Sequence, residues 1–266
     1  MKIGFIGAGK MAEAIIVSLI RSKIMVPHQI FASDINDERR KLLKKQYGIN
    51  TYSNNSAIPG IGEILFLCVK PQQLMEILDE ISPKITGKHL IVSIVAGKKI
   101  SLIQSRLREA RVIRVMPNIA CLVGEGMSAF CAGRTATESD TRTVARLLSC
   151  FGKVLELPEN CFDAVTAISG SGPAFFAYFL KAITEAGIKE GLNKKDALLL
   201  AEQTMLGTSK LLIQNNIEPE KLIESVSSAK GTTEAGLEVL DSSQLSTIVH
   251  DMIRAAAKRS KELSGK

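Results

Sequence analysis

The run Ile3-Gly4-Phe5-Ile6-Gly7-Ala8-Gly9-Lys10-Met11-Ala12 constrains the fold more than any other stretch of the chain. A short apolar strand over 2–6 turns at once into a helix starting near Lys10, with the spacing Gly-x-Gly-x-x-Ala at Gly7, Gly9 and Ala12. Each small residue has a steric task. Gly7 permits the tight turn, Gly9 lets the backbone approach a pyrophosphate, and Ala12 keeps the helix close to the sheet. The helix start offers unpaired N–H groups and the positive end of its dipole. The pattern predicts a dinucleotide site drawn from Ile6, Gly7, Ala8, Gly9, Lys10 and Met11.

A second strand over 29–33 ends at Asp34, where a carboxylate accepts hydrogen bonds from the adenosine ribose hydroxyls and repels a 2′-phosphate. Asp34 or Asn36 also suits the N-cap of the charged helical run at 37–46. Arg39 and Arg40, in the first turn of that run, suit a 2′-phosphate instead. The balance leans to NADH and leaves NADPH open.

At 266 residues the chain has room for one large domain or two modest ones. Its 45% hydrophobic and 23% charged content is ordinary for a soluble globular protein. Lys2 followed by apolar residues has the look of a targeting segment, but Lys10 and Glu13 interrupt it, and strand and turn explain the glycines better. No apolar run approaches a membrane span. Five cysteines, Cys68, Cys121, Cys131, Cys150 and Cys161, form no Cys-x-x-Cys pair, which predicts free thiols and a cytoplasmic location. His28, His89 and His250 have no metal-ligand spacing, so no metal is expected. The net charge of +7 gathers partly at Arg254, Lys258, Arg259 and Lys261. With few aromatics and no Trp there is no stacking platform for nucleic acid, and a solvated helix face is the better reading.

The chain has two rhythms. Up to Leu157, strands near 2–6, 29–33, 64–69, 89–94 and 111–115 alternate with helices near 10–23, 37–46, 72–81 and 100–108, the pattern of a doubly wound parallel sheet. A further helix is expected over 140–151 and a last strand over 153–157. From Pro158 the strand signal vanishes and helical patterns run through 159–168, 173–190, 194–214, 218–226 and 243–263. This predicts an α/β dinucleotide-binding domain over 1–157 and an all-α domain over 158–266. Within the latter, Ala174-Phe175-Phe176-Ala177-Tyr178-Phe179-Leu180 is apolar around its whole circumference and so needs burial on every side. A second copy of the chain supplies that burial most easily, predicting a homo-oligomer joined through the helical domain.

Ligands of a doubly wound sheet bind beyond the carboxyl ends of its strands. Three loops qualify: Cys68-Val69-Lys70-Pro71, Ser93-Ile94-Val95-Ala96-Gly97 and Arg114-Val115-Met116-Pro117-Asn118. They are expected to line the groove that begins at Gly7, although Pro71 and Pro117 also read simply as strand stops. In the helical half, Ser169-Gly170-Ser171-Gly172-Pro173-Ala174 and Ser227-Ser228-Ala229-Lys230-Gly231-Thr232-Thr233 each precede a helix. Two hydroxyl-bearing helix N-termini suit a small carboxylate; plain capping by Ser171 and by Thr232 or Thr233 is the bland reading. None of these loops contains a histidine. Ketone reduction requires a general acid for the developing alkoxide, whereas a basic imine takes its proton from solvent before hydride arrives, so imine reduction fits better.

In these loops and in the glycine turn the chain resembles the pyrroline-5-carboxylate reductase family, over nearly its full length. The matching segments are Gly7-Ala8-Gly9-Lys10-Met11-Ala12, Val69-Lys70-Pro71, Met116-Pro117-Asn118, Ser169-Gly170-Ser171-Gly172-Pro173-Ala174 and Lys230-Gly231-Thr232-Thr233-Glu234-Ala235-Gly236. The resemblance implies a Rossmann-like domain followed by a helical dimerisation domain, with further assembly into rings such as decamers. It implies hydride transfer from NADPH or NADH to the C=N carbon of 1-pyrroline-5-carboxylate, a cyclic imine carboxylate, giving L-proline. Carried over by motif, Thr233 bonds the ring nitrogen, the Thr232 and Thr233 N–H groups hold the carboxylate, and Ser171 and Gly172 shape the pocket. Glu159 matches a substrate-proximal acid and Asn55 a residue near the adenosine ribose; Val69, Lys70, Pro71, Ala96 and Asn118 fall to the cofactor. Lys230 departs from the family pattern by replacing the first glycine of a Gly-Gly-x-Thr loop. Ile119 and Ala120 replace Thr-Pro, and Asn216 stands where some members carry an acid. A β-hydroxyacid-type dehydrogenase using Lys70 or Lys230 as proton donor, and a nucleotide-binding regulatory relative without turnover, are the alternatives.

Overall fold

The computed structural model describes residues 1–264. Eight strands form one sheet: β1 (Ile3–Ile6), β2 (Ile30–Ser33), β3 (Asn50–Tyr52), β4 (Ile64–Leu67), β5 (Leu90–Ser93), β6 (Arg111–Met116), β7 (Gly126–Ala132) and β8 (Gly152–Glu156). Their order is β3-β2-β1-β4-β5-β6-β7-β8. β1 to β6 are parallel, whereas β7 runs antiparallel to β6 and β8 pairs parallel with β7. The sequence reading has neither β3 nor β7. β3 is three residues of polar or aromatic character, and β7 is built mostly of small residues, with Phe130 the one bulky β-former in its short apolar run, so both carry a weak strand signal.

Strands β1, β2, β4 and β5 are buried along their full length, as strands covered on both faces must be. The two-residue period sends alternate side chains to two cores. Ile3, Phe5, Ile64, Phe66, Leu90 and Val92 face one core, where Phe5 and Phe66 stack with ring centroids 4.9 Å apart. That side is covered by α1 (Lys10–Arg21), α2 (Asp37–Tyr47) and, later in the chain, α5 (Glu138–Leu148), which contribute Ile15, Ile16, Leu43, Val144 and Leu147. Leu65, Leu67, Ile91 and Val112 face the other core with α3 (Leu74–Ile81) and α4 (Ile100–Arg106).

The helical half holds α6 (Phe162–Val165), α7 (Gly172–Lys189), α8 (Lys194–Asn215), α9 (Pro219–Val226), α10 (Thr232–Ser242) and α11 (Leu245–Ser264). By packing, the chain divides into Met1–Ser171 with the described residues from Ala256 onward, and Gly172–Ala255. That break lies later than the change of rhythm at Leu157. Phe162 is fully buried in the sheet's core and Arg114 of β6 reaches Glu159, so the first residues after Pro158 pack with the sheet. The last turn of α11 returns to the same unit: Ser260 donates to Asp163 at 2.7 Å, and Leu263 lies against Gly97.

In Gly172–Ala255 the fully covered positions of α7 and α8 are small residues, Gly172, Thr184, Ala197 and Ala201. The large ones face outward, Phe176 at 62% and Tyr178 at 70% exposure. α9 and α10 bury no residue at all.

Candidate active site

The strand order reverses between β1 and β4, because β2 and β3 lie to one side of β1 while the chain crosses to the other side for β4. The carboxyl ends of these strands therefore part, and a cleft of about 420 Å³ opens there. It is lined by Gly7 and Gly9, by Asp34, Arg39 and Asn55, and by Val69 and Lys70. Gly7 has φ +89°, and a Cβ there would stand 2.6 Å from the Cys68 carbonyl oxygen, so only glycine makes this turn. Gly9 precedes α1 without any side-chain cap, and a Cβ at Gly9 would meet nothing within 4 Å. An uncapped helix start beside open space is the cradle a pyrophosphate fills, so these residues fit a dinucleotide.

Asp34 also braces the turn. Its Oδ2 accepts the Ala8 N–H and its Oδ1 the Asn36 N–H, both at 2.9 Å. Each oxygen keeps a further lone pair for a ribose hydroxyl. The cap of α2 is Asn36, whose side chain accepts the Arg39 N–H at 3.2 Å. Arg40 is spent on the carbonyls of Asp34 and Ile35 and on Asp37. Arg39 lies across the glycine turn, bonded to the Ala8 and Gly9 carbonyls and ion-paired with Glu13. Burial by itself would raise the Glu13 carboxyl, but hydrogen bonds from Arg39 and Tyr47 outweigh it and hold the group below the ordinary carboxylate range. Asn55 accepts from the Ser33 hydroxyl and donates to Glu80, both at 2.8 Å, which fixes it on the wall of the cleft.

Other expected cofactor residues take different places. Ile6 and Ala8 are buried, and Met11 lies against the Cys121 thiol at 3.6 Å, so these three support the turn from beneath. Lys10 is exposed at the start of α1. Pro71, Ala96 and Asn118 are not among the residues lining this cleft. Asn118 instead accepts the Met127 N–H at 3.2 Å and donates to the Ser169 hydroxyl at 3.3 Å, tying the end of β6 to β7. Ile35, Gln73 and Ile77 line the cleft and were absent from the sequence reading. Ile35 had a signal, an apolar residue directly after the acid that ends β2, and it is 79% exposed.

Glu159 does not line the cleft. Its Oε1 accepts the Ile100 N–H at 2.8 Å and the Arg114 guanidinium at 3.0 Å. Arg114 is buried and stacks on Phe162 at 4.6 Å. Burial, reinforced by the Glu159 charge, pushes the nearby Cys131 thiol up to about 12. Glu159 is thus bound to a structural cation in this chain.

The two glycine-bearing loops of the helical half differ from each other. Ser169-Gly170-Ser171 is no free helix start. Thr166–Gly170 forms a π-helical turn, Ser171 has helical dihedrals, and its N–H donates to the Thr166 carbonyl at 2.8 Å. Neither bland capping by Ser171 nor an open N-terminus there survives; the run is a π-bulge joining α6 to α7, a feature common at functional sites. At α10 the expectation of an open helix start stands. Gly231 is the N-cap and offers no side chain, so Thr232 and Thr233 begin the helix rather than cap it. The N–H groups of that first turn have no partner within the helix. Lys230 sits in the left-handed region at φ +60°, and its N–H donates to Glu234 at 2.6 Å. Asn216 ends α8 as a left-handed C-cap at φ +50°, a place where Asn is tolerated and an acid less so.

Among the described residues no group of three His, Cys, Asp or Glu side chains gathers, and no helix is long and apolar enough to cross a membrane.

A family model described as pyrroline-5-carboxylate reductase dimerisation matches residues 159–263, and one described as NADP oxidoreductase, coenzyme F420-dependent, matches residues 2–97. The chain is 39% identical to the pyrroline-5-carboxylate reductase of Methanosarcina acetivorans over 266 residues, covering 100% of this chain and 98% of that one. The solved structure of a pyrroline-5-carboxylate reductase from Coxiella burnetii superposes with a TM-score of 0.94 at 30% identity, covering 99% and 98% of the two chains. The Plasmodium falciparum pyrroline carboxylate reductase, solved with NADP bound, gives 0.89 at 28% identity with the same coverage.

Proposed function

This chain belongs to the pyrroline-5-carboxylate reductase family, and on that footing we propose how its residues divide the work. It is an oxidoreductase that reduces the C=N bond of 1-pyrroline-5-carboxylate to L-proline, the last step of proline biosynthesis, with NADPH or NADH. The observation that carries this is full-length likeness to the family. The bound nicotinamide supplies the hydride. Gly7, Gly9 and the start of α1 hold the pyrophosphate, Asp34 and Asn55 the adenosine ribose, and Val69 and Lys70 the wall beyond it, with Pro71, Ala96 and Asn118 framing the nicotinamide end.

The Thr233 hydroxyl hydrogen-bonds the ring nitrogen, and the Thr232 and Thr233 N–H groups receive the carboxylate. The uncapped start of α10 supports this assignment. Ser171 and Gly172 shape the pocket from the π-bulge. Glu159 acts as a positioning residue through Arg114 and the start of α4, not as a proton donor. The substrate imine is protonated from solvent, so the protein orients and stabilises charge and forms no covalent intermediate.

The protein is a homo-oligomer. We read the pair as a dimer joined through the helical domain over 158–266, assembling further to a decamer; the outward-facing side chains of α7 and α8 support the dimer. Five free cysteines, with burial raising the thiols of Cys68, Cys121 and Cys131, favour the cytoplasm. Racemic 1-pyrroline-5-carboxylate with each nucleotide in turn tests the reaction. Proline formation with loss of nicotinamide absorbance is expected, and binding without turnover would overturn it in favour of the regulatory reading.

A further inference from the structure

The nucleotide cleft holds a guanidinium whose charge the chain has already spent. Arg39 and Asp34 both line it. The Nε of Arg39 donates to the Ala8 carbonyl, and its Nη2 donates to the Gly9 carbonyl at 3.3 Å and to Glu13. Among the described residues only Nη1 is left without a protein acceptor. Glu13 is fixed from its other side by the Tyr47 hydroxyl, which donates to Oε1 at 2.8 Å. The Arg39 and Glu13 side chains are 20% and 19% exposed, so water screens this pair only in part.

A guanidinium grips a phosphate best through a parallel pair of N–H groups on two nitrogens. Here every such edge includes Nε or Nη2, and both are committed to oxygens of the chain. Glu13 pairs with this guanidinium, while Asp34, on the same cleft, accepts the Ala8 and Asn36 N–H groups and adds a second negative charge there. Arg40, the other arginine of the first turn, is occupied by Asp37 and backbone carbonyls.

We propose that Glu13 is a cofactor-specificity residue. As the internal counterion of Arg39 it occupies the face that a ribose 2′-phosphate requires, and it tilts the chain toward NADH. The inference rests on the reading of this cleft as the nucleotide site of a reductase.

The test is calorimetric binding of NADPH and NADH, and of adenosine 2′,5′-bisphosphate and AMP, to the unmutated protein and to Glu13→Gln. Glutamine keeps the size and an acceptor for Tyr47 and removes the charge. Affinity for the 2′-phosphorylated member of each pair is expected to rise about three- to tenfold relative to its partner. The gain disappears in Glu13→Gln/Arg39→Gln. Glu13→Met, similar in volume, serves as the second variant and shifts the ratio the same way. An unchanged or falling ratio in both folded variants overturns the proposal. Because binding is read without turnover, a lack of proline formation would sink the reductase reading and leave the specificity ratio measurable.

Discussion

The sheet unit and the helical unit meet the same hydrophobic requirement in different ways. In the sheet unit the long apolar side chains of β1, β2, β4 and β5 are covered by helices of the same chain. In Gly172–Ala255 the chain covers mainly alanine, glycine and threonine, and leaves Phe176, Ile213 and Val239 in the open at 62% to 67% exposure. A helix such as α9 or α10 that buries nothing gains too little to hold its backbone in place. The difference teaches that the first unit covers its own apolar side chains, whereas the second leaves large ones uncovered, in keeping with the dimer proposed through it.

The sharpest way to break that comparison is to charge the open face. Phe176→Asp is expected to dissociate the oligomer, at a cost of about 3–5 kcal/mol per interface, lowering the midpoint of thermal unfolding and removing its dependence on protein concentration. Light scattering and concentration-dependent melting check it; a monomer as stable as the parent would show that the helical unit needs no partner. Next comes the most constrained point of the sheet unit. Gly7→Ala places a methyl 2.6 Å from the Cys68 carbonyl at φ +89°, and is expected to abolish nucleotide binding and cost about 2–4 kcal/mol. Fluorescence titration with NADH and chemical denaturation read the two effects.

Thr233→Ala probes the helical unit's part in the chemistry. If the hydroxyl serves the imine as proposed, kcat/KM is expected to fall about 100-fold while nucleotide affinity stays unchanged. A pH series separates the units differently. Burial by itself would raise the Asp140 carboxyl, but bonds from Thr137 and the nearby Arg111 hold it below its ordinary value. Its folded form therefore contributes stability at neutral pH that is lost as pH falls through the depressed value. The stability gap between the parent and Asp140→Asn should be about 1–2 kcal/mol at pH 7 and close in acid, where both carry a neutral group. Smallest of all, Lys230→Gly relieves a left-handed lysine and is expected to stabilise the helical unit by about 1 kcal/mol.

Much of the site was legible because its residues are tied to local geometry. The glycine turn, the acid ending β2 and the loop after β4 follow directly from strand ends, and Gly7, Gly9, Asp34, Val69 and Lys70 do converge, joined by Asn55, which only the family resemblance pointed to. Ser169–Gly172 misled for an equally local reason. Glycines and serines read as a helix break, yet Ser169 and Gly170 end a π-helical turn, Ser171 caps it and Gly172 begins α7, so the chain runs on without an open helix start. Glu159 shows the other limit. Nothing in the sequence announces that Arg114, forty-odd positions earlier on a strand, will claim its carboxylate.

What this sequence determined by itself is whatever its periodicities encode: parallel apolar strands, their covering helices, the phosphate turn, and a helical half too apolar for one chain. Those properties arise from each segment's own solvation and backbone preferences. Only the tertiary structure decided the reversed β7, the return of the end of α11 to Gly97, and the pairing of Arg39 with Glu13 rather than with open solvent. Each depends on two residues distant in the chain competing for one partner, and such a competition has no local signature because its outcome is set by what else is packed nearby.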